Sequence, residues 1–123
     1  MFSFPKKERL CNKKKIDSLF SKGKAFLCYP FSVKYLLSQG DGKIQILIVC
    51  SKRYQKKAVS RNYIKRRMRE AYRLNNSQLK NRLTEAGQDL FVSLSYISKD
   101  LSDYHFIEKN ISDVLKTLES KVG

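Results

Sequence analysis

The spacing of apolar residues changes several times along the chain, and each change marks an element. Between residues 13 and 22, Ile16, Leu19 and Phe20 share one side of a helix, and Gly23 follows as a C-terminal stop. Residues 24–38 are rich in aromatic and β-branched side chains. Pro30 cannot donate to a ladder, so it divides them into a short strand and a longer one. In the longer one, Phe31, Val33 and Tyr35 alternate with Ser32 and Lys34, which puts the two sets on opposite faces of a sheet. Gly40-Asp41-Gly42 reads as a turn. The next run places Ile44, Ile46, Ile48 and Cys50 on one side. Its other side, Gln45, Leu47 and Val49, is also mostly apolar, which predicts a central strand.

The period then returns to that of a helix. At about 100° per residue, Ile64, Met68, Ala71 and Tyr72 fall in one narrow arc that must face the sheet. Asn62, Lys65, Arg66, Arg69 and Arg73 fill the adjacent arc, with Tyr63, Arg67 and Glu70 behind. Arg61 falls in the apolar arc, so it is predicted at the first turn. Ser60 is the candidate cap there, and the free N–H groups form a candidate anion site beside Arg61. Ser77 to Ala86 predicts a short helix closed by Gly87, and Asp89 to Ile97 a further strand. Ser102 is the predicted cap of a last helix, with Asp103 in its first turn and a stripe of Ile107, Ile111, Val114, Leu115 and Leu118. The order α-β-β-β-α-α-β-α predicts an α+β fold, a two-layer sandwich of about four strands with helices packed on the sheet.

Length and charge sharpen this picture. The 123 residues make a single domain, 1–123, and at 41% hydrophobic they can bury a core. The net charge of +15 is concentrated in two segments. Residues 51–75 hold ten basic residues and one acid, residues 6–24 hold eight and two, and the remainder balances. Such a density calls for a polyanion. A solvated helix face would need acids three or four residues from the bases, and only Glu70 is available. A membrane-surface helix would need a broad free apolar face, whereas here the apolar arc is narrow and wanted by the sheet. Phe20, Phe26 and Tyr29 flank Lys22 and Lys24, a mixture that suits unstacked bases, although any one of them alone reads more simply as core.

Other chemistry is sparsely represented. Cys11, Cys28 and Cys50 are odd in number and lack metal-ligand spacing, so they read as reduced thiols of a cytoplasmic protein. The N-terminus has no apolar core of a signal peptide, and no run is long enough to cross a bilayer. Acids do not cluster as a metal-dependent nuclease requires, and the single histidine, His105, reads as a surface or boundary residue. The chain alone looks like an RNA-binding module without catalytic groups.

The run Ala58-Val59-Ser60-Arg61-Asn62-Tyr63-Ile64-Lys65-Arg66-Arg67-Met68-Arg69-Glu70 resembles the signature helix of the protein subunit of bacterial ribonuclease P. The pattern from Lys7 to Phe26 and the Ser51-Lys52-Arg53 exit from a strand are similar to that family too, and the likeness covers nearly the whole chain. Tyr63 departs from it, standing where the family carries the second Arg of its signature. The resemblance implies a mixed sheet with a left-handed βαβ crossover. It implies a non-catalytic subunit of an endoribonuclease whose catalytic RNA removes the 5′ leader of precursor tRNA. No cofactor would be bound stably by the protein, and Mg2+ would serve the holoenzyme. The partners would be the RNA subunit, in a 1:1 complex with a monomeric protein, and precursor tRNA, with no membrane. The leader would lie between the N-terminal helix and the sheet, lined by Ile16, Phe20, Ser32, Lys34, Asn62, Lys65 and Arg69. The RNA subunit would meet Lys52, Arg53, Lys56, Lys57, Arg61 and Arg66. The alternatives are a basic ribosomal protein with a structural role and a stand-alone nuclease. The first often carries its cations on extensions rather than on ordered elements.

Overall fold

A computed structural model describes residues 13–122, with side chains from residue 16 onward. The Cys11 reading and the segment before the first helix lie outside the described residues. The elements are α1 (Lys13–Lys22), β1 (Lys24–Cys28), β2 (Phe31–Gln39), β3 (Ile44–Cys50), α2 (Ala58–Asn75), α3 (Ser77–Ala86), β4 (Gln88–Tyr96) and α4 (Tyr104–Lys121). This is the α+β order that the apolar pattern predicts. Pro30 stands in the turn between β1 and β2, as expected.

The four strands run in the order β1-β2-β4-β3. β2 pairs antiparallel with β1 and β4, and β3 pairs parallel with β4, so the sheet is mixed. One face carries Phe31, Val33, Tyr35, Ile44, Ile46, Cys50, Leu90, Val92, Leu94 and Tyr96, all buried. Against it pack Ile64, Met68, Ala71 and Tyr72 of α2 and the stripe Ile107, Ile111, Val114, Leu115 and Leu118 of α4, in one hydrophobic cluster. Burial of this face supplies most of the driving force for folding, at about 25 cal/mol per Å² of apolar surface.

β3 is not central. Among the described residues it pairs only with β4 and forms an edge of the sheet. The apolar residues of its second side, Leu47 and Val49, are only half-buried. They face the side of the sheet that carries α1, so their composition reflects partial cover rather than a strand on either flank.

The chain leaves β2, passes over the start of the later β4, and only then forms β3. Asp89, second in β4, receives this passing loop. Its Oδ1 accepts the backbone N–H groups of Asp41, Gly42 and Lys43 at 3.0, 3.1 and 2.9 Å. Gly40 must lack a Cβ, because that atom would lie 2.1 Å from the Asp89 carboxyl carbon. Gly87 closes α3 in the left-handed region at φ 65° and accepts the Gly40 N–H at 2.9 Å.

Two helix starts differ from expectation. Asp103, not Ser102, caps α4, and its carboxylate accepts the Phe106 N–H at 2.9 Å. The Ser102 hydroxyl is instead 2.7 Å from the Tyr96 hydroxyl, which removes it from capping. Ser60 does not cap α2. The helix begins at Ala58, and its first bond runs from the Arg61 N–H to the Lys57 carbonyl at 3.1 Å.

Candidate nucleic-acid interface

The second face of the sheet is only partly covered. α1 lies on it against β2 and β4, with Leu19 fully buried beneath. Cross-strand register divides this face into rows. The row Ala25, Lys34, Ser93 and Leu47 runs beneath α1, and Ser93 is only 2% exposed there. The next row is Leu27, Ser32, Ser95 and Val49. It is open, with Leu27 67% exposed and the other three half-buried. This row is the floor of a groove. On one side stands α1, and on the other the chain passes from β3 into the basic segment.

Lys34 is tied to the α1 wall. Its Nζ donates to the Phe20 carbonyl at 2.8 Å and lies 5.2 Å from the centre of the Phe20 ring. The last carbonyls of a helix lack intrahelical partners, so Lys34 satisfies one of them and fixes the end of α1. Phe20 keeps its outer side in solvent at 49% exposure, and Tyr29 is exposed as well. Neither is core, although core is the simpler reading of a lone aromatic. Phe26 does pack on the core, with its ring edge-on to Tyr35 at 5.9 Å. Tyr35 is buried, so the alternation correctly puts Lys34 rather than Tyr35 on the groove face.

The opposite side is built by the segment after Cys50. Lys52, Arg53, Lys56 and Lys57 are exposed on a short turn in which the Ser51 carbonyl accepts the N–H groups of Tyr54 and Gln55. Arg53 lies 5.8 Å from the Tyr54 ring centre. Gln55 holds this turn to the body. It is 6% exposed, and its Nε2 donates to the Ser98 carbonyl at 2.9 Å and the Asp100 carbonyl at 3.1 Å. Nothing in the sequence singles Gln55 out, since an uncharged residue among lysines carries no periodic signal. Arg61 braces the turn from the other end. Its Nη1 donates to the Gln55 and Lys56 carbonyls at 3.1 and 2.8 Å. The guanidinium expected beside a free helix N-terminus is thus partly committed to holding the loop.

Along α2, Asn62 and Arg66 are exposed, and Lys65 and Arg69 are half-buried. Arg73 pairs with Glu70 at 2.9 Å. The buried Cys50 thiol reports where this face lies. Burial raises its pKa, while the charges of Lys65 and Arg61 pull it partly back. The two cations therefore stand close to the end of β3. Cys50 belongs to the core face, so Lys65 stands on the α2 side of this edge strand, at its end. Tyr63 is half-buried, packs against the core and carries the Arg67 guanidinium 4.7 Å from its ring centre.

Of the thirteen expected contact residues, Phe20 and Lys34 touch, Ser32 shares their face of the sheet, and Arg61 touches the carbonyl of Lys56. Ile16 is half-buried on α1. Among the described residues no group of three histidines, cysteines or acids converges to hold a metal ion, and no helix is long and apolar enough to cross a membrane. His105 is exposed on α4, away from the groove elements.

The family model described as Ribonuclease P matches residues 4–119. The ribonuclease P protein component of Porphyromonas gingivalis is 32% identical over 123 residues, covering 98% of this chain and 90% of that protein. The component of Petrotoga mobilis is 31% identical, with 96% and 97% covered. Among solved structures, the Staphylococcus aureus RNase P protein superposes with a TM-score of 0.66 at 24% identity, covering 94% of this chain and 96% of that one. The Thermotoga maritima RNase P protein gives a TM-score of 0.64 at 24% identity, with 89% and 96% covered.

Proposed function

The chain belongs to the bacterial ribonuclease P protein family, and from that premise we propose that it grips two RNAs at once. As a subunit of that ribonucleoprotein endonuclease it serves tRNA processing. The finer reading is that it binds the catalytic RNA and the 5′ leader of precursor tRNA. In this reading the leader runs as a single strand along the open row Leu27, Ser32, Ser95 and Val49. Ile16, Phe20 and Lys34 form one wall, and Asn62, Lys65 and Arg69 attract its phosphates from the other. Unpaired bases stack on exposed rings such as Phe20 while cations neutralise the backbone between them. Lys52, Arg53, Lys56, Lys57, Arg61 and Arg66 meet the RNA subunit.

The observation that carries this reading is the convergence at one end of the sheet. The open row, the loop braced by Gln55 and Arg61, and the Lys65 flank of α2 all meet where β3 ends. A groove floored by leucine, valine and serine with cationic walls suits a flexible polyanion with apolar bases. The protein positions RNA and screens its charge. The divalent ions of the holoenzyme are assigned to the RNA, as the family resemblance implies.

The test mixes the protein with a bacterial catalytic RNA and precursor tRNA at low Mg2+. Cleavage should require the RNA and rise when protein is added. Cleavage by protein alone would indicate a stand-alone nuclease. A protein that binds RNA but leaves this reaction unchanged would point to a structural role such as that of a ribosomal protein.

A further inference from the structure

Half a turn around α2 from Lys65, the helix carries a surface that the groove does not use. Val59, Tyr63 and Arg67 are spaced four residues apart, so they form one line on the helix. Val59 is 80% exposed. Tyr63 packs its inner side on the core, which leaves the ring little freedom. The Arg67 guanidinium lies 4.7 Å from the centre of that ring, and among the described residues Tyr63 is the partner found for it. Asn62 and Arg66, both exposed, border the line on one side.

We propose that Tyr63 and Arg67 form a stacking platform for an unpaired nucleobase of the catalytic RNA. This rests on the reading of the chain as the protein subunit of ribonuclease P. A guanidinium is planar and delocalised and is weakly hydrated for a cation. Arg67 is half-buried with its guanidinium carbon 4.7 Å from the ring centre, and its outer side can receive a base while its N–H edges reach phosphate oxygens. The ring fixes Arg67 before the RNA arrives, so less side-chain freedom is lost on binding. Val59 offers apolar surface to a neighbouring sugar or base edge, and Arg66 offers charge to the adjoining phosphate. An arginine at position 63 could not do this. It would repel Arg67 and supply no ring beneath it. The substitution of Tyr for the family's Arg thus exchanges a charge for a stacking contact.

Geometry selects the RNA subunit over the leader. A single strand lying along the sheet floor and past Lys65 approaches α2 from the opposite side. Of the two residues on its flank, Arg66 is assigned to the RNA subunit and Asn62 to the leader wall, so Tyr63 and Arg67, which face away from Lys65, fall on the RNA-subunit side.

The decisive variant is Arg67→Lys, which keeps the charge and loses the plane. Binding of purified protein to catalytic RNA is measured across a salt series. The saturated holoenzyme is then tested for affinity to precursor tRNA with and without its leader. Arg67→Lys should weaken binding to the catalytic RNA by about tenfold, within the range found when single base–side-chain stacks are removed, with an unchanged salt slope. Tyr63→Phe should bind as the parent does, and Tyr63→Arg should weaken binding despite its extra charge. The preference for leader-bearing tRNA should stay the same throughout. Parental affinity for Arg67→Lys would overturn the platform, since charge alone would then suffice. A loss confined to leader-bearing tRNA would overturn its assignment to the RNA subunit. If the parent protein itself fails to bind the catalytic RNA, the underlying functional reading falls, and the platform with it.

Discussion

Replacing Gln55 with Ala removes an uncharged side chain, yet it should weaken both the fold and RNA binding. Gln55 Nε2 is the donor to the Ser98 and Asp100 carbonyls at 2.9 and 3.1 Å. Ser98 is itself only 3% exposed, so its carbonyl loses a partner with little access to water. An unsatisfied buried acceptor costs about 1–3 kcal/mol and a lost part-buried bond about 0.5–1.5 kcal/mol, so roughly 2–4 kcal/mol is at stake. For 123 residues at about 2.1 cal/mol/K each, the unfolding entropy at the midpoint is near 260 cal/mol/K, and the expected fall in Tm is about 8–15 °C. Calorimetry or circular dichroism reads this directly.

The second readout is affinity for the catalytic RNA, measured well below the new Tm. Without Gln55, the turn bearing Lys52, Arg53, Lys56 and Lys57 must be ordered on binding. Fixing even one residue of backbone costs about 1–2 kcal/mol, which is roughly five- to thirtyfold in Kd. No cation is lost, so the dependence of log Kd on log salt should keep its slope. Gln55→Glu should be worse than Ala for stability, because it turns a carboxylate oxygen toward two carbonyl oxygens. An unchanged Tm would refute the latch. A shallower salt slope for Gln55→Ala would refute the claim that it acts only by holding the loop.

Lys65→Ala and Arg69→Ala should each reduce affinity for leader-bearing tRNA and lower the log–log salt slope by about one per lost phosphate contact; unchanged affinity and slope would remove them from the groove wall. Asp89→Ala should destabilise the protein by about 1–3 kcal/mol in urea unfolding, because three loop N–H groups lose their acceptor, and Gly40→Ala should do likewise by displacing the same carboxylate. Tyr104 should add a pH dependence to stability. Burial, followed by the hydrogen bond and charge of Glu108, pushes its phenol up to about 12. The folded state thus holds the proton more tightly than the unfolded state. Its contribution is complete below the ordinary phenol value near 10 and is lost as pH rises from there toward 12. The stability difference between the parent and Tyr104→Phe should be flat below pH 10 and change above it.

Much of the fold is legible in the order of residues because period and punctuation agree. Gly23, Pro30 and Gly87 mark boundaries that the apolar spacing marks independently. The four-residue core arc of α2 and the five-residue stripe of α4 are the buried positions of those helices. The alternation around Lys34 puts it on the face opposite Tyr35, as the structure has it; that this face lines a groove comes from the resemblance. Residue chemistry alone misled where a side chain had two possible partners. Ser102 has good capping chemistry, but the Tyr96 hydroxyl claims it, and Asp103 takes the role. Ser60 lost the cap of α2 to a helix that starts earlier, on a loop held by Gln55 and Arg61. The edge position of β3 was hidden because an apolar second face is equally consistent with a groove floor and with a buried strand. Tyr63, where the resemblance breaks, has no role that the sequence pattern assigns. In the structure it packs inward and carries Arg67 outward.

The insertion of β4 between β2 and β3 has a consequence for how the molecule is made. Chains emerge from the ribosome N-terminus first, at about 5–20 residues per second. When α2 emerges, its cations are already present, but β4 and α4 have not yet been synthesised. In the folded sheet β2 and β3 do not pair with each other, and α4, a main packing partner of α2, is still to come. The nascent segment therefore carries charge without shape in surroundings crowded with RNA. Shape arrives with the last third of the chain, when β4 joins the two waiting strands and α4 covers the core arc of α2. Any recognition that needs the folded sheet is thus withheld until translation is nearly complete, and a chain cut short before residue 88 would carry the cations of α2 without the strand that joins β2 to β3.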